Sequence, residues 1–333
     1  MSISPTRRNV LLLALALAGA LLLVDFAALG LGSVHLAPGE VWGGLLGRAP
    51  ASEASVIVRD IRLPRVLLAM LVGAALAVSG TGLQALLRNP LADPYVLGIS
   101  SGAALGTIGA LWLGGRFASV TPLTAFVGAL ATMSWVYFLG RRAGRLSSYT
   151  LLLAGVVTAS FLSAIILFVL TLLSSRDVRG AAFWLMGDLS AVTDVQIRLL
   201  SPVIIVAIGA LYVFSKDLNV LLLGEVEAAH LGVNVARVET MVYVLTSLLT
   251  ALAVSVSGAI GYLGLLVPHL GRMLVGNDHR ALLVTAAFGG ALMLVVSDTL
   301  ARTVVAPAEL PVGAVTALAG APVFIYLLRR TAG

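Results

Sequence analysis

RNPLADPYVLGISSGAALG, from Arg88 to Gly106, is the stretch of sequence that decides the fold. A long apolar run stops at its start, and a second apolar run, rich in glycine, follows its prolines. Pro90 and Pro94 each have a short polar residue before them, so one helix cannot continue through both. The stretch therefore predicts a tight polar hinge between two membrane-length helices. Three glycines at intervals of four residues then predict one closely packing face on the second helix. These are Gly98, Gly102 and Gly106.

Composition places the chain in the membrane. Of its 333 residues, 59% are hydrophobic and only 11% are charged, and the mean hydropathy is +1.06. A soluble domain carries about 25% charged residues, so a soluble protein of this composition would lack an adequate polar surface. Because about 20 apolar residues cross a bilayer, we predict an all-α, polytopic membrane protein with about ten transmembrane helices.

We interpret residues 1–333 as one transmembrane domain. A surface helix is expected outside at Pro38 to Leu46, and the inner loop Ser215 to Arg237 is expected to form two short amphipathic helices joined at a glycine. Met1 to Gly30 resembles a signal peptide but is better explained as a first span with a positive cytoplasmic flank. The bias of arginines places both termini in the cytoplasm. The predicted spans are 10–31, 64–87, 95–113, 121–140, 149–173, 194–214, 238–257, 260–275, 281–303 and 311–328.

Several kinds of chemistry are excluded or disfavoured. Lys216, the only lysine, lies between Ser215 and Asp217 and fits no phosphate-binding loop, so any ATPase must be a separate polypeptide. A polytopic membrane enzyme is a further alternative, but no nucleophile–base pair, metal cluster or carboxylate dyad supports it, and we expect a non-catalytic subunit. The chain has no cysteine and no two histidines at metal-ligand spacing, so no metal site or cofactor is expected. The alternative function, an ion-coupled secondary transporter acting without an ATPase, normally needs ionisable residues at mid-membrane depth. Asp25 and Asp298 are the deepest candidates, and Asp298 is expected to pair with Arg302 one turn away.

Three blocks of the chain resemble the FecCD family, the permease subunits of ABC importers for ferric siderophores, haem and cobalamin. The first is the hinge stretch quoted above. The second runs from Gly258 to Arg280 (GAIGYLGLLVPHLGRMLVGNDHR) and the third from Glu309 to Leu327 (ELPVGAVTALAGAPVFIYL). The blocks lie in the family's order, and the similarity extends from about Arg62 to the C-terminus.

The resemblance implies a type II ABC importer permease in the inner (plasma) membrane. Its pore would lie between two permease subunits, the second being another copy of this chain or a paralogue. Two ATP-binding cassette ATPase subunits would dock inside and a substrate-binding protein outside, with membrane lipid around the complex and no nucleic acid partner. The cargo would be an iron–siderophore, haem or cobalamin, and the sequence does not choose among them.

Four groups of residues are the candidate sites. Outer arginines, which could also be interface anchors, would receive acidic residues of the binding protein: Arg62, Arg65 and Arg302. Two inner turns, which could also simply end helices, would close the pore: Asn89 and Leu91, then Ser148 and Tyr149. Residues of the inner loop would contact the ATPase: Leu222, Leu223, Gly224, Glu225, Ala229, Leu231 and Gly232. An outer segment, which could also only anchor a helix, would line a cargo vestibule: Arg176, Arg179, Phe183 and Trp184.

Overall fold

The computed structural model describes residues 7–48, 52–113, 117–142 and 145–331. The remaining positions of the predicted domain, including both chain ends, lie outside the described residues. The described residues are almost entirely helical. The helices are α1 Arg7–Gly30, α2 Pro38–Leu46, α3 Glu53–Val56, α4 Leu63–Leu86, α5 Ile99–Trp112, α6 Phe117–Gly140, α7 Ser148–Leu170, α8 Ser175–Leu185, α9 Asp194–Val213, α10 Ser215–Leu221, α11 Glu225–His230, α12 Val235–Ser257, α13 Leu263–Val275, α14 His279–Thr303 and α15 Val312–Thr331.

Short irregular elements complete the chain. A π-helical turn, Ile57–Arg62, joins α3 to α4, and a 3₁₀ turn, Pro94–Leu97, precedes α5. Two antiparallel two-residue strands, β1 Arg141–Arg142 and β2 Arg145–Leu146, connect α6 to α7. None of them alters the all-α class that the composition predicts.

The membrane architecture agrees with the sequence prediction, because each of the ten predicted spans contains a helix. Among the described residues, 7 helices are long and apolar enough to cross a membrane. The helices α5, α13 and the apolar part of α15 are shorter. The predicted start of the third span at residue 95 is wrong, because α5 begins only at Ile99. Asp93 caps the 3₁₀ turn by accepting a 2.8 Å hydrogen bond from Tyr95 N, and Gly98, with φ +77°, ends that turn.

The central helix is α4, which is buried along most of its length between α14, α12 and α13. Two glycine contacts make this packing close. A Cβ at Gly73 would lie 2.2 Å from the carbonyl oxygen of Gly290 on α14. A Cβ at Gly80 would lie 2.0 Å from the carbonyl oxygen of Gly264 on α13. Because lipid offers no hydrophobic drive between helices, such backbone-to-backbone approach supplies much of the packing energy.

A second set of close contacts joins α5 to α6. A Cβ at Gly102 would lie 2.0 Å from Thr132 Oγ1, and one at Gly106 would lie 2.1 Å from the carbonyl oxygen of Thr124. The predicted glycine face is therefore confirmed for these two residues. It is wrong for Gly98, which precedes the helix. A Cβ at Gly98 would lie 3.3 Å from the backbone nitrogen of Ala159 on α7.

Replacing Gly73 by alanine should destabilise the protein, because the added methyl group would push α4 away from the Gly290 backbone. Overpacking of this kind costs about 1–3 kcal/mol. The matched control is Gly209→Ala on α9, where an added Cβ would meet nothing within 4 Å. Melting temperatures in detergent should fall for Gly73→Ala and stay level for Gly209→Ala. Equal melting temperatures for both variants would contradict the close α4–α14 contact.

Candidate docking, gating and coupling sites

The three candidate docking arginines form an outer arginine cluster with Asp298 and Glu309. Arg62, Arg65 and Arg302 are only 4%, 6% and 6% exposed. Arg65 bridges two acids: its Nε lies 2.8 Å from Asp298 Oδ1 and its Nη1 lies 2.7 Å from Glu309 Oε2. Arg302 Nε lies 3.1 Å from Asp298 Oδ2, which confirms the pair expected within α14. The cluster thus ties α4, α14 and the segment before α15 together.

Two of these arginines also cap α1. Arg62 donates from Nη1 to the carbonyl oxygen of Leu29 at 2.7 Å and from Nη2 to that of Val34. Arg302 donates from Nη2 to the carbonyl oxygen of Ala28 at 3.1 Å. The last carbonyls of a helix lack internal partners, and positive charge at that end is favourable. These side chains are buried as capping groups, rather than extended toward water as interface anchors would be.

The cluster still has an opening to the outer surface. The three arginines and Glu309 line one small cavity of about 110 Å³, together with Gly32 and neighbouring residues. Three guanidinium groups stand against two carboxylates, which leaves one net positive charge. Arg62 accounts for it, since it donates to the neutral backbone carbonyls of Leu29 and Val34. The cavity therefore has the charge to accept one further carboxylate, although the use of these arginines in docking remains a prediction.

The first candidate gate lies in the hinge loop, Arg88–Asp93. Asn89 is half-buried, and its side-chain oxygen accepts a 2.9 Å hydrogen bond from Leu91 N. This local bond shapes the turn and leaves the Leu91 side chain exposed. Gln84 holds the end of the turn by donating to the carbonyl oxygens of Ala92 at 3.2 Å and Gly264 at 3.0 Å.

The second candidate gate lies at the start of α7. Ser147 caps this helix, so Ser148 is its first residue and Tyr149 follows with its side chain 77% exposed. The same helix packs against the 3₁₀ turn after the hinge, where a Cβ at Gly155 would lie 2.7 Å from the carbonyl oxygen of Val96. Both candidate gates therefore connect to one packed unit, and their closing of a pore stays a prediction.

The coupling loop, Ser215–Arg237, consists of α10 and α11 joined at a glycine, as the sequence predicts. Gly224 has φ +121°, a backbone conformation that residues with a Cβ rarely adopt, so the joint requires glycine. Gly232, with φ +85°, turns the chain after α11. Glu225 begins α11 and forms an ion pair with Arg88 of the hinge loop.

Apolar side chains of this loop form a coupling patch. The patch consists of Leu222, Leu223, Val226 and Leu231, which are 42%, 64%, 64% and 64% exposed. Ala229 is exposed beside them. Sequence reasoning missed Val226, although its position three residues before Ala229 places the two on one face of α11. A concentrated exposed apolar patch outside the membrane is typical of a protein interface.

Polar contacts fasten α10 to the transmembrane part. Asn219 donates to Asp278 Oδ1 at 3.0 Å and accepts from the backbone nitrogen of His279 at 2.8 Å. Asp278 is also the N-cap of α14. The side chain of Arg280 bonds Asp278 and lowers its pKa to about 2, so this anchor is ionised at neutral pH.

The four vestibule residues come together around one cavity. It has a volume of about 390 Å³ and is lined by Arg176, Arg179, Phe183 and Trp184 of α8 and by residues of α6, α9 and α12. Its one lining acid, Asp188, already accepts hydrogen bonds from Ser190 N at 2.7 Å and Ser190 Oγ at 2.9 Å. Among the described residues, no three His, Asp or Glu side chains converge as a metal site requires.

Comparison with known proteins agrees with this geometry. A sequence profile of the FecCD transport family matches residues 7–330. The chain belongs to the FecCD transport family. It is 45% identical over 276 residues to the cobalamin import system permease protein BtuC of Halobacterium salinarum, covering 83% of this chain and 74% of that protein. It is 42% identical over 318 residues to the hemin transport system permease protein HmuU of Yersinia pestis, covering 93% and 94%.

A solved structure leads to the same family. A metal-chelate type ABC transporter in an inward-facing conformation superposes with a TM-score of 0.85 at 30% identity, covering 96% of this chain and 99% of that chain. This FecCD protein is therefore a membrane-spanning permease subunit of an ABC importer. Membership in a family of transport permeases is consistent with a subunit that is not itself an ATPase.

Removing Asp298 should strongly destabilise this FecCD permease, because Asp298→Ala leaves Arg65 and Arg302 buried without their shared carboxylate. Breaking a buried ion pair in this way costs about 3–5 kcal/mol. The control is Asp194→Ala on α9, since Asp194 lies 4.0 Å from Arg198 and both side chains are largely exposed. Exposed pairs contribute about 0–1 kcal/mol. The measurement is the melting temperature in detergent. If both variants lower it equally, the cluster does not support the fold.

Proposed function

We propose that this permease imports an iron–siderophore, haem or cobalamin across the inner membrane with its termini in the cytoplasm. It would form a pore with a second permease subunit, take cargo from a binding protein outside and respond to two ATPase subunits inside. The names of the cobalamin and hemin relatives support this cargo class. The observation that carries the proposal is the coupling patch, because a transporter working alone has no need of an exposed apolar surface on its inner loop.

The alternative of an ion-coupled transporter receives little support. Asp298, the deepest acid at the outer side of α14, is held between Arg65 and Arg302. A carboxylate whose two oxygens are both held in ion pairs is poorly placed to exchange protons or ions. Asp25 is buried near the outer end of α1, away from mid-membrane depth.

ATP-driven uptake through the coupling patch is directly testable. Leu222→Asp with Leu223→Asp should stop co-purification of the ATPase and abolish ATP-dependent uptake in proteoliposomes. Each leucine buried at an interface contributes about 1.5–3 kcal/mol, so the pair should weaken assembly by roughly a hundredfold or more. Val226→Asp should act in the same direction.

The control for these variants is Val195→Asp at the outer start of α9, where the side chain is equally exposed. It should assemble and transport normally. If the leucine double variant recovers the full complex and transports like the parent, the coupling loop does not bind the ATPase. If uptake by the parent complex proceeds without ATP, the importer proposal itself fails.

Docking is proposed at the outer arginine cluster, where one carboxylate of the binding protein would enter the cavity. Two features support it: the net positive charge and the position of Glu309, whose half-exposed side chain already forms an ion pair with Arg65. An incoming carboxylate would pair with Arg62 and compete with Glu309 for Arg65. Arginine suits this contact because its planar group binds carboxylates at two points.

Two substitutions should change docking in opposite directions. Arg62→Gln removes the uncompensated positive charge and should weaken binding of the substrate-binding protein by roughly thirtyfold, the effect of about 2 kcal/mol for a desolvated charge pair. Glu309→Gln removes the competing carboxylate and should strengthen it. Affinities measured on the permease complex in nanodiscs at low and high salt would report both effects.

The matched control for docking is Arg198→Gln, an exposed outer arginine on α9, which should leave affinity unchanged. Melting temperatures separate loss of docking from loss of fold. If Arg62→Gln and Glu309→Gln both keep the parent affinity at every salt concentration while remaining folded, the arginines serve only as internal caps.

The cargo path is proposed to follow α7 from the outer cavity to the gate. This helix begins at Ser148 and Tyr149 and ends shortly before α8, which carries Arg176 and Arg179. The two guanidinium groups beside Phe183 and Trp184 suit a cargo that combines an apolar body with carboxylates. The hinge loop and the start of α7 would close the path toward the cytoplasm until ATP binding shifts the population of pore states.

A further inference from the structure

Arg88 has an unusual backbone conformation at the first position of the hinge loop. Its φ is +49°, a left-handed value that non-glycine residues seldom adopt. Leu87 is the C-cap of α4, and a left-handed residue directly after a C-cap is a common way to end a helix. Two hydrogen bonds of this cap hold Arg88 in place: Arg88 N donates to the carbonyl oxygen of Ala85 at 3.2 Å, and Asn89 N donates to that of Gln84 at 3.1 Å.

The side chain of Arg88 reaches a distant part of the chain. Its Nη2 donates to Oε1 of Glu225, the first residue of α11. Both side chains are about one-third exposed, and a partly exposed pair of this kind adds little to stability. The contact is nevertheless specific in position, since it joins the loop that carries Asn89 and Leu91 to the helix that carries half of the coupling patch.

The two ends of this contact are held differently. On the coupling side, α10 is fastened through Asn219, whereas Gly224 separates α10 from α11 and lets the second helix pivot. A cavity of about 470 Å³ lies between α11 and the start of α12, with Glu225, Ala229 and His230 on one side and Asn234 and Glu239 on the other. This space allows α11 to shift without disturbing α10.

On the gate side, a displacement of Arg88 would move the next residues of the hinge loop with it, because their backbone is constrained. Asn89 follows directly, and its side chain is bonded to Leu91 N. Pro90 between them has a fixed φ. Gln84 keeps the far end of the loop on α4 and α13. Movement of Arg88 relative to this fixed end must therefore rotate the segment that carries Asn89 and Leu91.

We propose that the Arg88–Glu225 ion pair transmits movement of α11 to the hinge loop, so that Arg88 and Glu225 are positioning residues for the gate. The proposal rests on the proposed function of the hinge loop as gate and of α11 as an ATPase contact. When the ATPase moves α11 toward or away from α12, Glu225 pulls Arg88 with it and Leu91 changes its exposure.

The test uses the complete transporter with its ATPase subunits and a single reporter cysteine. Because the chain has no native cysteine, Leu91→Cys is the only thiol of the permease, and its labelling by a water-soluble maleimide is measured on the permease chain after the subunits are separated. The parent should show different labelling rates in the nucleotide-free complex and in the complex with a non-hydrolysable ATP analogue. Arg88→Glu and Glu225→Arg should each reduce that difference by about fivefold or more, and the double swap should restore it.

Arg329→Glu, a reversal of an exposed arginine on α15, is the matched control and should keep the parent's difference. A purely structural contact would instead lower the melting temperature of the single variants and leave the nucleotide-dependent labelling difference unchanged. Uptake per ATP hydrolysed is the second readout, and it should fall in both single variants and recover in the double.

Each outcome is decisive. If the single reversals keep the parent's labelling difference and uptake per ATP, or if the swap fails to restore them in a folded complex, the ion pair does not transmit movement. If the parent itself shows no nucleotide-dependent labelling at position 91, the gate assignment fails. In that case, uptake per ATP hydrolysed is the measurement that decides whether the ion pair transmits movement.

Discussion

The hydrogen-bonding groups of a helix end must be satisfied even where water is scarce, and this constraint organises the half of the molecule in which α1 ends. The last carbonyls of α1 receive guanidinium donors from Arg62 and Arg302. Asp298 provides the counter-charge that Arg302 shares with Arg65. One requirement thus fixes the positions of α1, α4 and α14 relative to one another. It also fixes the start of the third family block through Glu309.

The proposed docking would give the same cluster a second role beside its role in the fold. Its buried side, around Asp298, is closed and structural. Its open side, around Arg62 and Glu309, retains one net positive charge and a small cavity. A carboxylate that enters from outside would compete with Glu309 for Arg65 instead of creating a new charged site. Docking could then be sensed by the segment between α14 and α15 without unfolding the cap of α1.

The packed centre and the inner surface have contrasting properties. Glycine contacts such as Gly73 with Gly290 bring helix backbones into direct touch and leave little room for relative movement. The inner surface instead has a glycine joint at Gly224, a cavity beside α11 and a partly exposed ion pair to the hinge loop. Close packing therefore provides a fixed frame, against which the coupling loop and the hinge can shift.

Much of this arrangement was readable from residue order, because the bilayer imposes strong local rules. Apolar runs of spanning length, paired prolines and regularly spaced glycines determined the helices, the hinge and the joint in the coupling loop. Tertiary structure alone decided what depends on residues distant in sequence. It moved Gly98 out of α5, placed Val226 in the coupling patch, buried Arg62 as a cap and joined Arg88 to Glu225. Local sequence patterns determine whether a segment can cross the membrane. The partner of a charged side chain instead depends on which helix ends meet in three dimensions.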